Sequence, residues 1–174
     1  MRLHVAVAIL LFAPVSQAVD PPRPVARPLP VVKPTHPITL KPILYPILNS
    51  SQRIFAGTVL QVAHSNPSPA STLASTSIRF RVDEAIRGVR QGQIIEIREW
   101  AGLWQSGERY RPGERVLLFL YPPSKLGLTS PVGHRAGRFP LDKSGRVLLR
   151  KTGSLPQPVE LRRVVAAIRG AERE

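Results

Sequence analysis

Ile78-Arg79-Phe80-Arg81-Val82-Asp83-Glu84-Ala85-Ile86-Arg87 is the stretch whose reading decides the fold. Successive side chains of a strand point to opposite faces, so alternate residues share one. Ile78, Phe80, Val82 and Ile86 then line one face, and Arg79, Arg81, Asp83 and Arg87 the other. Glu84 is the exception on the apolar face, where a place near the strand end would let it reach water. Gly88 and Gly92 bracket a short connection to 93–100, where Ile95 and Ile97 repeat the same period. The two segments predict a hairpin. Upstream, 54–64 predicts a first strand, with Gly57 marking a bulge or a close backbone approach. Downstream, Val116-Leu117-Leu118-Phe119-Leu120-Tyr121 is continuously apolar. It predicts a strand buried on both faces and stopped by Pro122-Pro123. Residues Ile54 to Tyr121 therefore read as an antiparallel β meander.

The chain beyond Tyr121 reads as closure of the same core. Phe139-Pro140-Leu141 and Val147-Leu148-Leu149 predict a second hairpin across the turn Asp142-Lys143-Ser144-Gly145. From Val159 to Ile168, the apolar residues Leu161, Val164, Val165 and Ile168 recur at helical spacing. They predict one C-terminal helix packed on the sheet and ended by Gly170. The segments 65–77, 101–113 and 124–138 read as loops.

The start of the chain has the three parts of a secretory signal. Arg2 supplies the charge, the run from Leu3 to Val15 the apolar region, and Val15-Ser16-Gln17-Ala18 the small-residue cleavage site. The apolar run is shorter than a spanning helix needs and is broken by Pro14, so no transmembrane span is expected after cleavage. Nine prolines stand between Pro21 and Pro46. Proline lacks the amide donor and fixes φ, which predicts an extended polyproline segment. Residues 1–18 are expected as signal peptide, 19–48 as Pro-rich spacer and 49–170 as the folded domain. Within the spacer, Ile38 to Tyr45 is more apolar and placed to dock along the domain.

The chain has no cysteine, which excludes disulfides, thiolate metal sites and a thiol nucleophile. Its formal charge of +14 comes mostly from arginine, 20 against 5 lysines, spread along the whole length. That charge attracts polyanions, although so even a spread is the mark of a compositional bias more than of one site. The chain contains neither a G-x-S-x-G elbow nor a phosphate-binding glycine loop nor an H-E-x-x-H pair. His36, His64 and His134 stand alone. The acids Asp83, Glu84, Glu96, Glu99, Glu108 and Glu114 lie among arginines as cross-strand charge partners. No catalytic, cofactor or metal residue is assigned, and the protein is expected not to be an enzyme. The candidate partner-binding surface is basic and aromatic: Arg79 and Arg81 on the outer strand face, then Trp100, Trp104, Arg109, Tyr110 and Arg111. Arginine beside tryptophan or tyrosine suits stacking on bases, sugars or partner aromatics. The plainer alternative is that Trp100 and Tyr110 close one end of the core.

The strings Ile54-Phe55-Ala56-Gly57-Thr58-Val59, Phe80-Arg81-Val82-Asp83-Glu84-Ala85-Ile86-Arg87-Gly88 and Gly113-Glu114-Arg115-Val116-Leu117-Leu118-Phe119-Leu120 together resemble the netrin-like module. That module is shared with the tissue inhibitors of metalloproteinases, and similar strings occur in uncharacterised secreted bacterial proteins. So does a string like Leu128-Thr129-Ser130-Pro131-Val132-Gly133 with Gly137-Arg138-Phe139. The resemblance covers roughly Ser51 to Tyr121 and implies a mainly-β, OB-like five-stranded antiparallel barrel with a helix alongside. The inhibitors occupy a protease zinc with an amino-terminal cysteine, which this chain lacks, so inhibition does not carry over. Three functions remain as expectations. The first is a secreted or periplasmic, non-enzymatic module that binds a protein or an envelope polymer. The second is polyanion or nucleic-acid binding, against which the export signal weighs. The third is a hydrolase whose site the fold assembles.

Overall fold

The centre of the architecture is a long bent strand, β1 (Arg53–Ser65), which pairs antiparallel with β2 (Ser75–Arg87) and with β4 (Arg115–Leu120). The computed structural model describes residues 39–67, 73–105, 109–149 and 156–173. The segment expected as signal peptide, 1–18, and the expected spacer as far as residue 38 lie outside the described residues. With β3 (Ile94–Trp100) and β5 (Arg138–Pro140), the five-stranded sheet has the order β3-β2-β1-β4-β5. The meander holds through β3. β4 then crosses to the far side of β1 instead of continuing beside β3. Burial accounts for this: every residue from Val116 to Leu120 is buried, whereas β3 buries only alternate residues. A strand apolar on both sides is covered on both faces only beside the central strand.

The two faces of the sheet carry different cores. Ile54, Ala56, Leu117 and Phe119 face the helices, and Phe55, Val59, Phe80, Val116 and Leu118 pack together on the other side. Three register shifts between β1 and β2 bend the pair. One lies at Gly57, where an added Cβ would come within 2.7 Å of the Arg81 carbonyl oxygen, so the close backbone approach is real. The same shift pairs Gly57 with Val82 and Ala56 with Glu84, skipping Asp83 and reversing which parity of β2 faces which core. Ile86 therefore joins the helix-side core instead of the face of Ile78, Phe80 and Val82, and Ala85 takes the inner side. Glu84 turns with Ile86, within 3.8 Å of Arg169 Nη2.

Lys41–Leu48 is a helix, α1, where an extended spacer was expected. Leu44, Ile47 and Leu48, at helical spacing, are buried in the domain core, and that burial overrides Pro46 inside the helix. The carbonyls at its end find partners outside the helix. Ser51 Oγ donates to the Ile47 oxygen at 2.6 Å, and Arg87 Nη1 donates to those of Leu48 and Ser51 at 2.9 and 2.8 Å. Arg87 also pairs with Glu172 at 2.7 Å, tying β2 to the end of the last helix.

The second expected hairpin forms its turn but not its ladder. Asp142 and Arg146 close the turn, with the Asp142 amide on the Arg146 oxygen at 2.9 Å and Gly145 at φ 75°. The Asp142 carboxylate accepts from the Arg146 amide and Nε, which holds its pKa below the usual aspartate value. Beyond one bridge, Leu141 to Val147, the strands part. β5 joins β4, where Phe139 meets Phe119 edge-to-face at 5.8 Å. β6 (Arg146–Leu149) pairs instead with β7 (Gln157–Glu160). Val159 and Glu160 thus belong to a strand, and the helix expected from Val159 begins two residues later, as Leu161–Ala171. Its stripe of Val164, Val165 and Ile168 is buried as expected, while Gly170 lies within the helix instead of ending it. The short helix α2 (Ala101–Gln105) precedes β4, and the C-terminal helix is α3.

The protein is therefore mainly β with a C-terminal helix. Among the described residues no ladder joins β3 to β5, although the Thr129 amide donates to the Arg98 carbonyl of β3 at 2.8 Å. No helix among the described residues is long and apolar enough to cross a membrane.

Candidate binding surface

Because β2 and β3 pair in unbroken register, the solvent face of the sheet is a grid of cross-strand rows. Thr58, Arg81 and Ile94 form one row, and Gln61, Arg79 and Glu96 the next. Ala63, Ser77 and Arg98 make the third row, and Ser65, Ser75 and Trp100 the fourth. Arg79 and Arg81 are exposed as the alternation requires. Arg79 Nη1 donates to Gln61 Oε1 at 3.4 Å, and Arg81 Nε meets Asp83 Oδ1 at 3.1 Å. Asp83 also accepts from Thr58 Oγ1 at 2.6 Å and lies 3.7 Å from Arg115 Nε. Exposed pairs of this kind add little stability, so the arginines remain available to a ligand.

Trp100 lies at the other end of the same face, about 13 Å from Arg79 along β2 at the usual strand rise. It is 52% exposed. A Cβ built on Gly102 would fall 2.3, 2.4 and 2.5 Å from three adjacent atoms of its six-membered ring. Such near-equal distances place the Gly102 backbone over the face of the indole, not at its edge. An alanine at this position would have to push the indole aside. Arg98 lies between Trp100 and Arg79, with Nη2 3.4 Å from Ser75 Oγ.

Tyr110 is not a surface residue, which corrects its place in the expected site. It is 4% exposed, packs edge-on against Phe80 at 5.5 Å, and donates its hydroxyl to the buried Glu99 at 3.2 Å. The Arg138 guanidinium covers its ring at 4.1 Å. Arg138 Nη2 also donates to Glu114 Oε1 at 2.8 Å and to the Arg109 carbonyl at 3.1 Å. Two backbone bonds dock this loop on β1, Gly113 to the Val59 oxygen and Val59 to the Glu114 oxygen, each 2.8 Å. Arg109 and Arg111 stay exposed on the loop so anchored. Trp104 belongs to α2, and its side chain lies outside the described residues.

The seven expected residues thus divide. Arg79, Arg81 and Trp100 share the sheet face, Arg109 and Arg111 lie on the adjoining loop, Tyr110 is part of the core, and Trp104 is on α2 with its side chain outside the described residues. Sequence reasoning missed Arg98, which only the pairing register aligns with the others, and the anchors Glu99, Glu114 and Arg138. For Arg138 the available signal was the string Gly137-Arg138-Phe139, which carried no role of its own. His64 has its Nδ1 3.1 Å from Thr76 Oγ1, and His134 occupies a short 3-10 turn. No group of three or more His, Asp or Glu among the described residues could hold a metal ion. In comparisons with known proteins, no family model, no curated protein and no solved structure matches the chain.

Proposed function

We propose that this protein is an exported, non-enzymatic binding module, built on an OB-like barrel, that engages a protein or an envelope polymer. The observation that carries the reading is the asymmetry of its sheet. One side is filled by its own side chains, Phe55, Phe80 and Leu118 among them, while on the opposite side, beyond the part that the helices cover, Arg79, Arg81 and Trp100 stand in solvent. A packed interior leaves binding to strand faces and loops, where OB-like barrels take oligonucleotides and oligosaccharides. The bends in β1 and the bond from Thr129 to Arg98 support a sheet curling towards closure. Export rests on the signal-like segment Met1 to Ala18.

Co-sedimentation of the full chain with isolated cell-envelope material tests the reading. The expected result is saturable binding that the Arg79→Ala/Arg81→Ala variant loses while keeping its melting temperature. Equal sedimentation of variant and wild type, or turnover on a panel of hydrolase substrates, would overturn it.

A second reading, general polyanion binding, draws on Arg79, Arg81, Arg98 and Arg115 along β2, β3 and β4 and on the +14 charge. It requires affinity to fall steeply as salt rises from about 50 to about 200 mM.

A further inference from the structure

We propose that the outer face of β1, β2 and β3 takes an acidic polysaccharide, with one sugar ring stacked on Trp100 and carboxylates of the chain set against Arg98 and Arg79. The proposal rests on the binding-module reading and names the partner of that face.

The first observation is the indole lying on Gly102. Gly102 covers one side of the Trp100 ring, and the residue is still 52% exposed. A large apolar side chain held flat with its other side in water is a preorganised platform, since little conformational freedom remains to be lost on binding. Aromatic faces carry negative charge density, which suits the C–H face of a sugar ring.

The second observation is that cations and acids alternate beside the platform. Arg79 has Glu96 directly across the strand pair, and Arg81 has Asp83 at 3.1 Å. A phosphodiester chain, charged at every unit, would meet repulsion at both acids. A polymer rich in hydroxyls, with carboxylates at intervals, uses both kinds of group. Arginine forks onto its carboxylates, while Glu96 and Gln61 accept from its hydroxyls.

The third observation is alignment. Trp100, Arg98 and Arg79 lie on consecutive rows of one face, with Ala63 and Ser77 as small residues between them. An extended chain can lie along these rows without displacing a bulky side chain.

Titration of the full chain with a hyaluronan decasaccharide, whose carboxylates alternate with uncharged sugars, followed by calorimetry and tryptophan emission, tests this. Saturable binding is expected, weakened about tenfold by Trp100→Ala and by Arg79→Ala and little changed by Trp100→Phe. Arg162→Ala, an exposed change on α3, should leave it unaltered. Uncharged cello-oligosaccharide should bind more weakly. Absence of saturable binding, or equal affinity in Trp100→Ala that melts like wild type, would overturn the proposal. So would tighter, Trp100-dependent binding of an oligothymidylate of the same length, which would give the face to nucleic acid. Envelope binding lost in Arg79→Ala/Arg81→Ala without any binding of the hyaluronan decasaccharide would leave the module reading standing and remove this one.

Discussion

At the scale of single residues, Gly137 and Arg138 show how one segment sets another. A Cβ at Gly137 would fall 2.6 Å from both the nitrogen and the oxygen of Val132, and 2.9 Å from the Phe119 oxygen. All three are backbone atoms, and Val132 donates to that same Phe119 oxygen at 2.8 Å. No side chain can yield there, so an alanine must push the segment off β4. Gly137→Ala should cost about 2–3 kcal/mol, read as a lower urea midpoint at unchanged m-value. Gly170 is the contrasting case, with nothing within 4 Å inside α3. There alanine removes backbone entropy from the unfolded chain, and Gly170→Ala should stabilise by about 0.5–1 kcal/mol in the same titration. Arg138, one residue beyond Gly137, then reaches the Tyr110 ring and Glu114, so the close approach also positions the loop that presents Arg109 and Arg111.

At the scale of elements, α1 is a contest between proline and burial. Pro46 cannot donate to the carbonyl one turn earlier and crowds it, which costs roughly 3 kcal/mol in a helix interior. Leu44, Ile47 and Leu48 each bury nearly the whole side chain, worth about 1.5–3 kcal/mol apiece, so burial wins. Thermal denaturation of two variants checks the balance. Leu44→Ala should destabilise by about 2–4 kcal/mol, whereas Pro46→Ala should raise the melting temperature. No stabilisation by Pro46→Ala would mean that the helix has already bent to relieve the clash.

At the scale of the whole molecule, β1 and β4 are the strands that give fully buried residues to both cores. Ile54, Ala56, Leu117 and Phe119 serve one and Phe55, Val59, Val116 and Leu118 the other, so neither core can open without these strands. Native-state hydrogen exchange should find the slowest amides in the β1–β4 ladder. The β6–β7 pair, with two strands and one buried side, should exchange earlier. Uniform protection across both sheets would contradict this hierarchy.

Alternation alone determined that Ile78, Phe80 and Val82 face inwards and Arg79 and Arg81 outwards, because a period of two is local to the backbone. The same physics made β4 legible as a doubly buried strand and the Val164, Val165 and Ile168 stripe as the packed face of a helix. Tertiary structure decided what has no period. The shift at Gly57 reversed Ile86 and Glu84, since a bulge depends on how two strands meet. β4 found its place beside β1, and β6 left β5 for β7, because pairing is set by which apolar faces can be covered together. Tyr110 went inside because its loop docks on Val59, while Trp100 stayed outside against a glycine two residues on. The stretch Ile78 to Arg87 was thus readable until the point where its neighbour bends it. From there the contacts between strands, and not the sequence of either one, set the face that each side chain presents.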